Sequence, residues 1–262
     1  MTARSIVEYE PAMPPSFKQP WLTRFQSRPA ALRRLVCFGP AGGGPSFFRK
    51  WPDLLPSDVE LLAVQLPGRE ARLAEPATHG IERSADSVAQ ALSDASPMPT
   101  ILFGHSMGAL IAYETAHRLG ARLGTEKLAL VVSGREAPDR VMTDVAFTHL
   151  PDEAFLHHVA RRYGGIPIEV MREPELQELV IPALRADFAA VTTYRESARP
   201  PLNMRLVVLR GVDDRQTPPE AIEGWRSRSS GPVRMRSFAG GHFYLSQQPE
   251  PVIDEVLAAL ER

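Results

Sequence analysis

The stretch TILFGHSMGALIAYETAHRL, Thr100 to Leu119, decides how the rest of the chain is read. Thr100 to Phe103 is a short run fit for a buried strand, Gly104-His105-Ser106-Met107-Gly108 follows without a spacer, and Ala109 to Leu119 keeps a helical pattern. At ordinary glycine and serine abundance, a Gly-x-Ser-x-Gly match arises by chance in roughly one chain in ten of this length, so the five residues alone carry little. The strand-turn-helix frame gives the glycines a task. They allow the tight turn and the close backbone approach that present the Ser106 hydroxyl above a sheet edge, as a nucleophile would need.

Outward from this turn, short apolar and β-branched runs alternate with helical patterns. The runs are Arg34 to Phe38, Leu61 to Leu66, Thr100 to Phe103, Lys127 to Ser133, Arg205 to Leu209 and Val233 to Phe238. This alternation predicts an α/β fold with a mostly parallel sheet covered by helices on both faces. No strand-like run occurs between about 144 and 199, where Leu176, Leu179, Val180, Leu184, Phe188 and Val191 fall at helical spacing. A helical insertion is expected there, with Pro182 breaking or kinking a helix near Ile181. Residues 1–32 carry prolines at 11, 14, 15, 20 and 29 without a sustained period, and read as an extension ahead of a single domain at 33–262.

A serine hydroxyl is a weak nucleophile and needs a base that a carboxylate orients. The run Arg205 to Leu209 leads into Gly211-Val212-Asp213-Asp214, and Val233 to Phe238 into Gly240-Gly241-His242-Phe243. In a parallel sheet these strand ends gather at the edge that holds Ser106, so His242 is the expected base and Asp213 or Asp214 its partner. The remaining histidines, at 79, 105, 117, 149, 157 and 158, read as packing or surface residues, with His105 pointing away within the turn. His157 and His158 are adjacent and cannot share a helix face, so no metal site is expected. A tetrahedral oxyanion needs two fixed N–H donors, one from the residue after the nucleophile and one from the loop after an early strand. Met107 supplies the first. In the loop Gly39-Pro40-Ala41-Gly42-Gly43-Gly44, Pro40 has no N–H, which makes Ala41 the candidate for the second.

Composition narrows the classes. The chain has 262 residues, 44% of them hydrophobic, and 30 Lys and Arg against 31 Asp and Glu. One core of ordinary size is expected, and no basic excess marks a nucleic-acid footprint. The lone Cys37 can form no internal disulfide, the first 30 residues hold no secretory apolar run, and no apolar run approaches a membrane span. A soluble cytoplasmic protein is expected.

Over residues 33–260 the sequence resembles the type II thioesterases, the discrete α/β-hydrolases that accompany polyketide and nonribosomal peptide synthases. The resemblance rests on Gly104 to Gly108, Gln65-Leu66-Pro67-Gly68-Arg69, Leu150-Pro151-Asp152-Glu153-Ala154-Phe155, Tyr163-Gly164-Gly165-Ile166-Pro167 and Pro182-Ala183-Leu184-Arg185-Ala186-Asp187-Phe188. The family's Gly-x-x-Asp turn falls on Gly211 to Asp214 and its Gly-Gly-His-Phe motif on Gly240 to Phe243, which implies Asp214 and His242 as partners of Ser106. The family's oxyanion loop, Pro-His-Ala-Gly-Gly, becomes Gly39-Pro40-Ala41-Gly42-Gly43 here and loses its histidine. The resemblance implies a monomeric editing enzyme that clears acyl chains from acyl or peptidyl carrier proteins. It needs no cofactor of its own, because the substrate carries the phosphopantetheine, and the insertion forms a lid. Phe147, Phe155, Leu184 and Phe188 are candidate walls of the acyl pocket, although a plain helix core would look the same. Arg161 and Arg162 are either a carrier contact or solvated charge. A generic small-ester carboxylesterase and a non-catalytic synthase-binding protein are the alternative readings.

Overall fold

The predicted runs become β2 (Arg33–Phe38), β3 (Val59–Val64), β4 (Thr100–His105), β5 (Leu128–Ser133), β6 (Arg205–Gly211) and β7 (Val233–Phe238). They come from a computed structural model that describes residues 20–77, 80–140, 142 and 145–260. Residues 1–19 of the expected extension, His79, the start of the insertion at 144 and the last two residues lie outside these. One strand was not expected: Leu22–Thr23 forms β1, antiparallel to β3, with Leu22 opposite Val64. Leu22 and Thr23 thus add an edge strand to the sheet. Two residues are too few to show a period, which is why sequence pattern missed them.

The strand order is β1-β3-β2-β4-β5-β6-β7, and every pairing except β1 with β3 is parallel. The central strands alternate between two faces, as the pleat requires. Val36, Phe38, Leu102, Leu130 and Val132 pack on one face, with α1 (Ile81–Ser93) and α2 (Met107–Leu123). Leu35, Cys37, Ile101, Phe103 and Val131 pack on the other. That second face is closed by Phe48, Trp51 and the carboxyl-terminal helix that begins at Pro249. Among the described residues no helix is long and apolar enough to cross a membrane.

The chain passes from β2 to β3 on one side, then returns across β2 to β4 on the other. Strand order therefore reverses between β2 and β4. A crevice opens at such a reversal, beyond the carboxyl ends of the strands. Here the loop Gly39–Gly44 and Ser106 emerge side by side, because Phe38 is paired with Gly104.

The insertion between β5 and β6 is helical, as expected: a 3-10 turn (Ala146–His149), then α3 (Asp152–Tyr163), α4 (Ile168–Arg172) and α5 (Pro174–Thr193). It has a small core of its own around Phe147, Phe155, Leu156, Ile181, Leu184 and Phe188. Of the break or kink expected at Pro182, the break is absent, for α5 runs its 20 residues uninterrupted through it. Pro182 and Glu178 are both exposed. The Glu178 carbonyl that loses its helical donor can thus bind water, while Ile181, Ala183 and Leu184 hold the buried side of the helix in place. The bends fall instead at Gly164-Gly165 and at Glu173, just before Pro174 at the first turn of α5.

Glu114 of α2 ties this insertion's return to the core. It accepts hydrogen bonds from the Tyr194 hydroxyl (2.6 Å), Arg199 Nη1 (2.9 Å) and Arg118 Nη1 (2.6 Å). Burial raises its pKa, but the hydrogen bonds from Arg199, Tyr194 and Arg118 outweigh burial and bring it down to about 2. An unfolded glutamate titrates near ~4.3, so the stability this group contributes is complete above that pH and is lost as pH falls toward about 2. Urea unfolding at stepped pH is expected to show a weaker decline across that window in Glu114→Gln than in the parent, from a lower starting stability at pH 7.

Candidate active site

Ser106 sits between β4 and α2 with φ 55° and ψ −117°, a backbone conformation that a non-glycine residue adopts only under constraint. The constraint comes from both sides. The Ser106 N–H donates to the Ser133 carbonyl at the end of β5 (2.8 Å), and its carbonyl accepts from the Ala109 N–H (3.1 Å). A Cβ at Gly104 would fall 2.2 Å from the Gly108 carbonyl oxygen, and one at Gly108 would fall 2.2 Å from that of Phe38. No other residue fits either place, so the two glycines are the steric condition for the turn.

His242 and Asp214 meet at the far end of the same sheet edge. His242 Nδ1 lies 2.8 Å from Asp214 Oδ2, with both side chains buried. A carboxylate only accepts, so Nδ1 carries the proton and Nε2 is left as the basic nitrogen. Asp214 is held further by the Gln216 N–H (2.9 Å) and the Thr217 hydroxyl (2.8 Å). Burial raises its pKa, yet the hydrogen bond and charge of His242, helped by these two donors, hold the carboxyl below its ordinary range. Asp213 is exposed, and its N–H bonds the Gly240 carbonyl, so it serves the turn and not the pair. The loops meet because Gly211 leaves room: a Cβ there would lie 2.2 Å from the Gly241 carbonyl oxygen.

His105 is fully buried, as a packing histidine should be, but it is not remote from the pair. Its ring centroid is 4.9 Å from that of His242, and its Nδ1 shares a hydrogen bond with Ser133 Oγ (2.9 Å), which in turn bonds the Tyr244 hydroxyl (2.7 Å). Burial and the neighbouring His242 drive its pKa well down, so His105 stays neutral behind the base.

Met107 opens α2, where an N–H has no helical partner, and Ala41 lines the cavity above Ser106. Among the described residues no protein acceptor meets either N–H. The loop around Ala41 is held by a contact that sequence reading did not find. The Gly42 N–H donates to Asp187 Oδ2 (2.7 Å), and Asp187 is clasped by Arg69 through Nη1 (2.6 Å) and Nη2 (2.9 Å), the ion pair itself being buried. Arg69 Nη1 also donates to the Gly43 carbonyl (3.2 Å). Three separate segments, the loop after β2, the loop after β3 and helix α5, thus meet at one ion pair. The signal was in the sequence: Asp187 falls on the buried stripe of Leu184, Phe188 and Val191, where a carboxylate must have a partner.

The cavity above Ser106 and His242 has a volume of about 450 Å³. Leu184 and Phe188 line it, with Phe47, Val159, Tyr163 and Val170. Phe147 and Phe155 do not. They stack against each other and meet Phe188 edge to face inside the insertion's core, one layer behind the wall. The helical period cannot separate a wall residue from the layer behind it, because both lie on the apolar side. Arg162 borders the site and donates to Gln216 (2.9 Å), whereas Arg161 is exposed. Phe155→Ala is expected to cost about 3–5 kcal/mol in unfolding free energy without changing which acyl length is preferred. Phe188→Ala is expected to extend the accepted chain length, read from turnover across an acyl series.

A serine on a strained strand-to-helix turn, followed in the chain by an aspartate and a histidine at later strand ends, places the molecule among the α/β-hydrolases. Residues 33–260 match the thioesterase domain family. Thioesterase PikA5 of Streptomyces venezuelae is 38% identical over 237 residues, covering 90% of this chain and 84% of that protein. The structure of the type II thioesterase BorB from the borrelidin biosynthetic cluster superposes with a TM-score of 0.83 at 33% identity, over 92% of this chain and 98% of that one. RedJ, a thioesterase of the prodiginine pathway in Streptomyces coelicolor, gives 0.79 at 35% identity, over 96% and 95%. The chain belongs to the thioesterase family.

Proposed function

We propose that this enzyme hydrolyses acyl thioesters held on the phosphopantetheine arm of an acyl or peptidyl carrier protein, releasing aberrant or stalled chains from a polyketide or nonribosomal peptide synthase. The observation that carries this reading is the likeness, along nearly the whole chain, to thioesterases of biosynthetic clusters and pathways, a type II thioesterase among them. The buried His242–Asp214 pair beside Ser106 supports it.

In this reading Ser106 Oγ attacks the thioester carbon while His242 Nε2 accepts its proton, and Asp214 orients the imidazole and stabilises its charged form. The N–H groups of Met107 and Ala41 hold the tetrahedral oxyanion. Collapse breaks the carbon–sulfur bond, and His242 returns the proton to the departing thiolate. Water, deprotonated by His242, then cleaves the acyl-Ser106 ester to free acid. The route needs no metal or cofactor from the protein, since the pantetheine arrives with the substrate. The monomer is its working form and the cytoplasm its setting.

The test is turnover of acyl groups from acetyl to dodecanoyl, each on a carrier protein, on a small thiol and as an oxygen ester, with Ser106→Ala as control. Preference for the carrier-bound series, abolished in the variant, is expected. Equal rates on small thioesters and oxygen esters would mark a generic esterase, and turnover unaffected by Ser106→Ala would remove the nucleophile assignment.

A further inference from the structure

Strand β5 is apolar from Leu128 to Val132 and ends on Ser133, whose side chain is fully buried. In the sheet Ser133 pairs with His105, which ends β4. Both side chains therefore stand on one face, that of Phe103 and Val131. A further valine or leucine would extend this core with no polar group to desolvate. The serine instead makes three hydrogen bonds that reach both the serine turn and the histidine loop. Its carbonyl accepts from the Ser106 N–H (2.8 Å), and its Oγ joins His105 Nδ1 (2.9 Å) to the Tyr244 hydroxyl (2.7 Å). Tyr244 follows His242 by two residues and is also fully buried.

The rings around the base depend on this serine. Gly134, next in the chain, has φ +59°, and a Cβ on it would fall 2.6 Å from His105 Cε1 and 3.3 Å from His242 Cε1. Its bare backbone lets the two imidazoles close to 4.9 Å between centroids. The rings of Tyr163 and Phe243 lie 5.5 and 5.1 Å from His242, so three rings box the base. Among the described residues the buried Nε2 of His105 has no hydrogen-bond partner, which leaves Ser133 Oγ as the anchor of that ring.

We infer that Ser133 is a positioning residue for the reaction: its hydroxyl straps the His242 loop to the serine turn, through Tyr244 on one side and His105 on the other, and so keeps the imidazole aimed at Ser106 Oγ. The inference rests on the reading of Ser106 and His242 as nucleophile and base. Ring contacts are weakly directional and leave an imidazole room to tilt, whereas hydrogen bonds fix angle as well as distance. A misaimed base slows proton transfer while the acyl chamber, and with it substrate binding, stays as it was.

The experiment takes Ser133→Ala, Tyr244→Phe and the double variant, in which each change deletes one oxygen, and measures kcat and KM on the acyl thioester that the parent cleaves fastest. Each single change is expected to lower kcat about tenfold, the equivalent of one ordinary hydrogen bond, and to leave KM near that of the parent. The double variant is expected to match the singles, because the strap is already cut. Thr115→Ala controls for the loss of a buried hydroxyl as such. That group donates to the Ile111 carbonyl within α2 (2.7 Å), and its removal is expected to lower the melting temperature with kcat at the parent value. A kcat in Ser133→Ala equal to that in Thr115→Ala overturns the inference, and so do losses that add in the double variant. If Ser133→Ala does not fold, Tyr244→Phe, which keeps its ring in the core, carries the same comparison with Thr115→Ala. Labelling of the parent by a serine-directed phosphonate tests the underlying reading apart. No label at Ser106 would fell the nucleophile, and ready labelling with no effect of either single change would fell the strap alone.

Discussion

Replacing His242 with alanine is expected to lower kcat by about 10⁴-fold or more, and adding Ser106→Ala to that variant to cost little further, because members of a nucleophile–base pair act as a unit. The geometry behind this is the 2.8 Å bond from His242 Nδ1 to Asp214 Oδ2, which leaves Nε2 as the one basic ring nitrogen. Asp214→Asn is expected to approach the same loss, since an amide in that position favours the wrong imidazole tautomer. Asp213→Asn is expected to stay near the parent, because that side chain is exposed and its backbone alone joins the turn. Single-turnover kinetics on one acyl thioester would check these four variants beside Ser106→Ala alone. Additive losses at Ser106 and His242, or equal losses at positions 213 and 214, would contradict the assignment.

The second large effect is expected at a residue remote from the attacked bond. Asp187→Ala leaves the Arg69 guanidinium buried and unpaired, which costs about 3–5 kcal/mol, a large share of the roughly 5–15 kcal/mol that holds a typical domain folded. It also removes the acceptor of the Gly42 N–H, next to the candidate oxyanion donor at Ala41. Loss of one such donor lowers kcat by about 10²–10³-fold, and that is the upper bound expected for a loop no longer held in place. Stability and rate can be separated. The paired replacement Arg69→Met with Asp187→Leu restores apolar packing without a stranded charge, so the denaturation midpoint should recover while kcat remains low. Recovery of both would show that the ion pair serves folding alone.

Most of the framework was legible because each central strand is an apolar run between turn residues, and because Ser106 and Asp214 lie within three residues of glycines, Gly104, Gly108 and Gly211, that close backbone contacts demand. What was not legible depends on three-dimensional neighbours. The period of α5 marks its apolar side but cannot say that Leu184 faces the cavity while Phe155 on α3 lies behind it. Pro182 left a break open as well as a kink, because a sequence does not show that Glu178, whose carbonyl is orphaned, is exposed. Arg69 and Asp187 stand in separate motifs 118 residues apart, and only folding shows them to be one contact. The oxyanion loop shows both sides of this. The missing N–H of Pro40 points to Ala41, but the support that reaches its neighbour Gly42 from α5 could not be read locally.

The short β1 has a bearing on how the molecule behaves in a crowded solution. Every residue of β3 is buried, and without β1 its outer side would be a bare row of amides and carbonyls, a template for any other chain in extended form. Leu22 and Thr23 pair with Val64 and Ala63, the Gln65 N–H donates to the Trp21 carbonyl (2.9 Å), and Arg28 Nη1 donates to the Val59 carbonyl (2.9 Å). The salt bridge from Arg24 to Glu60 (2.9 Å) adds charge beside the same edge. Residues 20–32, which lie ahead of the family-matched region, thus act as a selvage. They cover the Ala63–Val64 end of the sheet's open border and cap Val59, so that less of the hydrophobic strand beneath is open to a stranger.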